Sequence, residues 1–112
     1  MPNINVQKVV CDIPSDFKTK ISSAAGLRGL SVGKLFTDYF EEYVSSGLDF
    51  DSETFWEAHS KKYSDSSLSQ LKPLSFYIPN DFHFKLRYIA QMNLRSIRSQ
   101  TFHFACFVYS KL

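Results

Sequence analysis

Ile13-Pro14-Ser15-Asp16-Phe17 returns as Ile78-Pro79-Asn80-Asp81-Phe82, 65 positions further along the chain. With that offset held, Lys20-Ile21 falls on Lys85-Leu86, Ala25 on Ala90, Leu27 on Met92, Ser31-Val32 on Ser96-Ile97 and Val44 on Tyr109. Two diverged copies of one unit therefore fill most of the 112 residues. A unit this small cannot bury its own apolar face, and repeats of such units pack on one another. Either half alone would be marginal, so the expectation is a single domain, 1–112, with one shared core.

In the first copy, residues 6–13 are rich in β-branched side chains and stop at Pro14, which lacks the amide to continue a central strand. Ser15 is placed to cap a helix with Asp16 at its positive end and with Phe17, Ile21, Ala24 and Ala25 at helical spacing; that helix should end near Gly29. A second helix starts at Ser31, carries Val32, Leu35, Phe36, Tyr39, Phe40, Tyr43 and Val44 on one stripe, and ends at Ser45-Ser46-Gly47. The second copy repeats the plan: a strand from Leu74 to Ile78, a stop at Pro79, Asn80 as cap, and a final helix from Ser96. Gln100 and Thr101 stand there in place of Leu35 and Phe36, with Phe102, Phe104, Phe107 and Tyr109 restoring apolar bulk.

The first unit thus covers 6–44, the second 74–112, and 45–73 connects them. Within the connection, Asp51-Ser52-Glu53-Thr54 followed by Phe55, Trp56, His59 and Tyr63 has the form of a capped amphipathic helix, with Trp56 read as a packing residue and 64–69 as a flexible connector. The fold class expected is mainly α with a short two-stranded antiparallel ribbon.

Composition narrows the function. No run approaches the roughly 20 apolar residues of a membrane span, and Met1-Pro2-Asn3 begins neither a basic nor an apolar leader, so a cytoplasmic location is expected. Cys11 and Cys106 lie among apolar neighbours without metal-ligand spacing and read as buried free thiols rather than a disulfide or zinc site. His59, His83 and His103 show no pattern with a nucleophile or carboxylate, and no glycine-rich phosphate loop occurs; neither an enzyme nor a cofactor is expected. The net charge is only +2, yet 78–112 holds five basic groups and one acidic, against two and five in 49–65.

Strand, proline stop, helix, Gly-x-Ser turn and a longer helix with an acidic-aromatic end is a pattern that resembles the ribbon-helix-helix family, similar to the Arc and MetJ repressors. It is carried by Val9-Val10-Cys11-Asp12-Ile13-Pro14, Ser15-Asp16-Phe17, Gly29-Leu30-Ser31-Val32 and Asp38-Tyr39-Phe40-Glu41-Glu42-Tyr43-Val44. The second copy keeps Phe76-Tyr77-Ile78-Pro79-Asn80-Asp81-Phe82 and Ser96-Ile97, with Leu94 replacing the turn glycine. The resemblance covers roughly 6–44 and 72–111, and in tandem form it looks like the TraY group of accessory proteins of conjugative relaxosomes. It implies an intramolecular pseudo-dimer whose two strands form one ribbon that enters the DNA major groove.

Alternation places Val9, Cys11 and Ile13, and Leu74, Phe76 and Ile78, on the core side. Lys8, Val10 and Asp12, with Pro73, Ser75 and Tyr77, then face outward. By the resemblance, Lys8, Val10, Asp12, Ser75 and Tyr77 are the base-contact candidates. The starts of the two second helices, Ser31-Val32 with Lys34 and Arg95-Ser96-Ile97-Arg98, are the phosphate-contact candidates. Asp12 is the departure from a good groove reader, since a carboxylate is repelled by phosphate and accepts only from a cytosine amino group. It is either a device against wrong sites or the mark of a ribbon retired from DNA. The function expected is sequence-specific double-stranded DNA binding, as a repressor-like transcriptional regulator or a conjugation accessory protein of a mobile genetic element. Further copies on DNA or a larger protein machine are the expected partners. The alternative is a protein-interaction module or inhibitor on the same scaffold.

Overall fold

Val6, Val9, Val10 and Ile13 give the first segment its extended preference, and it forms β1, Val6–Pro14. The computed structural model describes residues 5–60 and 71–112, apart from the side chains of Trp56, Ala58, His59, Ser60 and Leu71. After β1 come α1 (Ser15–Leu27), α2 (Val32–Glu42), a π-turn (Tyr43–Gly47), α3 (Ser52–Ser60), β2 (Leu71–Pro79), α4 (Asn80–Met92) and α5 (Ile97–Ser110). The described chain is mainly helical, with one two-stranded antiparallel sheet. β1 pairs with β2 from Val6 opposite Pro79 to Pro14 opposite Leu71. At the centre of this register Val10 faces Ser75, two residues that the 65-residue offset makes equivalent. Lys8 accordingly faces Tyr77 and Asp12 faces Pro73, pairs that the offset exchanges.

Several boundaries depart from the sequence reading. β2 begins at Leu71 rather than Leu74, so part of the 45–73 connection is strand; Pro73 is tolerated because each strand of a two-stranded ribbon keeps a free edge. Ser15 and Asn80 do not cap their helices. Pro14 and Pro79 occupy the N-cap positions in an extended conformation (φ −57° and −56°), so the chain turns straight from strand into helix. The Ser15 carbonyl instead accepts from Thr19 Oγ1, and the Asn80 amide donates to the Asn5 carbonyl, tying the start of α4 to the start of β1. The second helix does not stop at Ser45 but widens into the π-turn. Asp51 does cap α3, accepting from the Thr54 amide at 2.9 Å and from Thr54 Oγ1 at 2.7 Å, bonds that hold its carboxyl below the usual range. The expectations for the side chains of Trp56 and His59, for Tyr63 and for 64–69 lie outside the described residues.

The helices cross between copies: α2 packs on β2 and α5 on β1. Val9, Cys11, Ile13, Leu74, Phe76 and Ile78 all point inward and are buried, as their alternation requires. Phe36 stacks on Phe76 at 4.1 Å and meets the edge of Phe104 at 5.1 Å, while Phe40 stacks on Phe82 at 4.6 Å. Phe17 stacks on Tyr109 at 3.9 Å, and Phe55 brings α3 onto that pair. Phe104 and Phe107 are both buried. Cys11 and Cys106 are buried free thiols, and burial pushes each up to about 12.

One patch of the core is polar. His103 Nε2 lies 2.7 Å from the Phe50 carbonyl, which can only accept, so Nε2 carries the proton and Nδ1 accepts from the Tyr43 hydroxyl at 2.8 Å. Tyr43 in turn accepts from Gln100 Nε2 at 2.5 Å, and Gln100 Oε1 is buried with no hydrogen-bond partner among the described residues. Burial pushes the Tyr43 hydroxyl up to about 12 and holds His103 below the ordinary histidine range. The chain of bonds links the π-turn, α5 and the segment ahead of α3.

Candidate nucleic-acid interface

Period-two alternation leaves Lys8, Val10 and Asp12 on the outer face of β1, and Pro73, Ser75 and Tyr77 on that of β2. Lys8 and Tyr77 are exposed and opposite each other, Val10 is half-buried beside exposed Ser75, and Asp12 is half-buried beside Pro73. The base-contact candidates therefore share one small surface, with the one cation among them, Lys8, and the one carboxylate, Asp12, four residues apart on the same strand.

The N-termini of α2 and α5 stand at opposite ends of this face. Ser31 (φ −75°, ψ 162°) accepts from the Lys34 amide at 3.1 Å, and Ser96 (φ −69°, ψ 159°) accepts from the Ser99 amide at 3.0 Å. Each cap takes one amide of a terminus whose first donors have no carbonyl behind them, leaving the positive end of the helix dipole toward solvent. Val32 and Ile97, the next residues, are half-buried anchors against the core cluster. At the α2 end, Gly33 sits so close to β2 that a Cβ there would collide with the Tyr77 carbonyl. At the α5 end, the residue equivalent to Gly33 is Arg98, which reaches across to β1: its Nε and Nη2 lie 3.1 and 2.9 Å from the same oxygen of Asp12.

The Arg98–Asp12 pair changes the reading of both residues. Sequence assigned Asp12 to bases and Arg98 to phosphate, each acting alone; the fold joins them. Both side chains are about half exposed, so the pair contributes about 0–1 kcal/mol to stability and acts mainly by fixing where the guanidinium points. With Ser96, Ser99 and Phe102 they line an open concavity of about 310 Å³ at the end of the ribbon. Lys34 is turned away from the α2 terminus toward Asp38, with Nζ 2.7 Å from the carboxylate. Arg95 is exposed one residue before the Ser96 cap, just after Leu94, whose φ is +56°.

Compared with protein-family models, curated proteins and solved structures, the chain has no match. No helix among the described residues is long and apolar enough to cross a membrane, and no group of three or more His, Cys, Asp and Glu side chains among them is placed to hold a metal ion.

Gly33 and the Tyr43–Gln100–His103 chain escaped the sequence reading. Gln100 in the place of Leu35 was the visible signal for a polar patch in the core; for the Gly33 contact the sequence holds none, because it depends on how α2 meets a strand of the other copy.

Proposed function

We propose that this chain is a non-enzymatic, sequence-specific double-stranded DNA-binding protein, in which two ribbon-helix-helix units form an intramolecular pseudo-dimer and β1 and β2 lie together in the major groove. The observation that carries the reading is the outer face of the ribbon, centred on Val10 and Ser75, with a serine-capped helix N-terminus at each end. A major groove about 12 Å wide admits a two-stranded ribbon. Lys8 suits the paired acceptors of guanine, Ser75 and Tyr77 supply hydroxyls, and Val10 suits a thymine methyl. The termini at Ser31-Val32 and Ser96-Ile97, supported by Arg95 and Arg98, suit the phosphates on either side. Because Lys8 and Asp12 have no counterparts of like charge at Pro73 and Tyr77, the half-site is asymmetric. In the cell this activity belongs to a transcriptional regulator or to an accessory factor that shapes DNA for a larger machine in conjugation.

Asp12 favours a second reading, in which the scaffold binds protein and no longer reads DNA. Selection from randomised duplexes at two salt concentrations separates the two. An enriched asymmetric motif is expected, with affinity falling as salt rises, and Lys8→Ala should relax one position of that motif by about 1–3 kcal/mol. Absence of any retained duplex at low salt would exclude DNA binding and leave the second reading.

A further inference from the structure

The outer row of α4 has no role in the core and none at the ribbon. Phe84, Tyr88 and Met92 recur every fourth residue and are 71%, 58% and 67% exposed, one continuous apolar stripe along the helix. Beside it runs a groove of about 420 Å³ lined by Val44, Phe84, Lys85, Tyr88 and Ile89. At the equivalent positions α1 carries Thr19, Ser23 and Leu27. The shared scaffold therefore does not require aromatic groups there, and their presence on one copy alone points to something beyond the described residues.

Charge states what that partner is. Lys85 and Arg87 emerge on the two sides of the stripe, both are exposed, and neither has a carboxylate within ion-pair distance among the described residues. A second copy is a poor occupant. Among the described residues the remaining large exposed apolar side chains, Leu27, Leu48, Tyr77 and Leu94, lie on α1, on β2 and between elements and make no helical row, and a two-fold α4–α4 contact would set Lys85 and Arg87 against their like. We propose that α4 is the docking surface for an acidic amphipathic helix of a partner protein, whose apolar row fills the groove beside Phe84 and Tyr88 while its carboxylates meet Lys85 and Arg87. The surface is separate from the ribbon, so the chain can hold this partner whether or not it reads DNA.

The test is selection from a displayed library of helical peptides about five turns long, against the full chain, with a Phe84→Ser/Tyr88→Ser variant for counter-selection. Both side chains are mostly exposed, so the variant should keep the parent circular dichroism spectrum. Enriched peptides should combine an apolar row with an excess of Asp and Glu and bind the variant at least about tenfold more weakly. A Lys85→Glu/Arg87→Glu variant should lose them and select basic peptides instead, an arm that stands even if the serine variant fails to fold. Peptides without acidic bias, equal binding to the variants, or no enrichment would overturn the proposal. So would concentration-dependent self-association of the chain, seen by sedimentation and abolished in the serine variant, which would assign the stripe to a second copy.

Discussion

Leu94 occupies a backbone conformation that its counterpart in the first copy gives to glycine: φ is +56° at Leu94 and +68° at Gly29. A left-handed conformation costs a residue with a Cβ about 1–2 kcal/mol, and glycine gives back part of that gain through its freer unfolded state. Leu94 is 95% exposed, so replacing it removes no packing. Leu94→Gly should raise stability by about 0.5–1 kcal/mol, read as a higher urea midpoint at unchanged slope. The loss of the turn glycine was visible in the sequence; that the turn keeps its left-handed geometry regardless was not. Asp12 gives a second prediction. It pairs with Arg98 at the ribbon end, so on the proposed DNA-binding function Asp12→Asn should tighten binding to all duplexes and steepen the log–log salt dependence by about 0.9, the contribution of one further phosphate contact. An unchanged slope would mean that Arg98 does not reach the backbone. This pairing spans 86 positions, and nothing in the local pattern around either residue announces it.

The contacts between elements are where the two copies cease to be interchangeable. Period-two alternation and helical spacing made β1, α1, α2, α4 and α5 legible, because each pattern is local; β1 ends at Pro14, and α1 and α2 run into glycine-bearing turns. That α2 packs on β2 and α5 on β1 was written in no local pattern. Gly33 shows what such a contact demands: α2 approaches β2 so closely that Gly33→Ala must push the helix terminus off the Tyr77 carbonyl. A cost of about 1–3 kcal/mol in urea denaturation is expected and, on the proposed function, weakened duplex binding, since the displaced terminus is one of the two that flank the ribbon. If Gly33→Ala melts like the parent, α2 does not hold this position. Bulk is also shared unequally. Where α2 supplies Phe36 and Phe40, α5 supplies Thr101 and Ala105, all four buried. Two copies of the first unit would overfill that space and two of the second would leave a void.

Across the molecule, the buried Tyr43–Gln100–His103 chain couples stability to pH. Burial lowers the folded pKa of His103, so the unfolded chain takes up its proton first. Stability from this group is complete above the ordinary histidine range, about 6.5, and is lost as pH falls from there toward the folded value. His83, also lowered by burial, adds a weaker slope of the same sign. The urea midpoint should therefore fall below about pH 6.5, with a limiting slope of about 1.4 kcal/mol per pH unit from His103, and His103→Gln should flatten the curve from a lower starting stability. A curve of equal steepness in the variant would place the titration elsewhere. Gln100 was a legible hint of this patch, but its bond to Tyr43 joins residues 57 apart and needed the fold. Both strands of the ribbon belong to one polypeptide. Its outer face is thus assembled by a unimolecular event: dilution cannot take it apart, and forming it carries none of the concentration threshold that a dissociating dimer imposes.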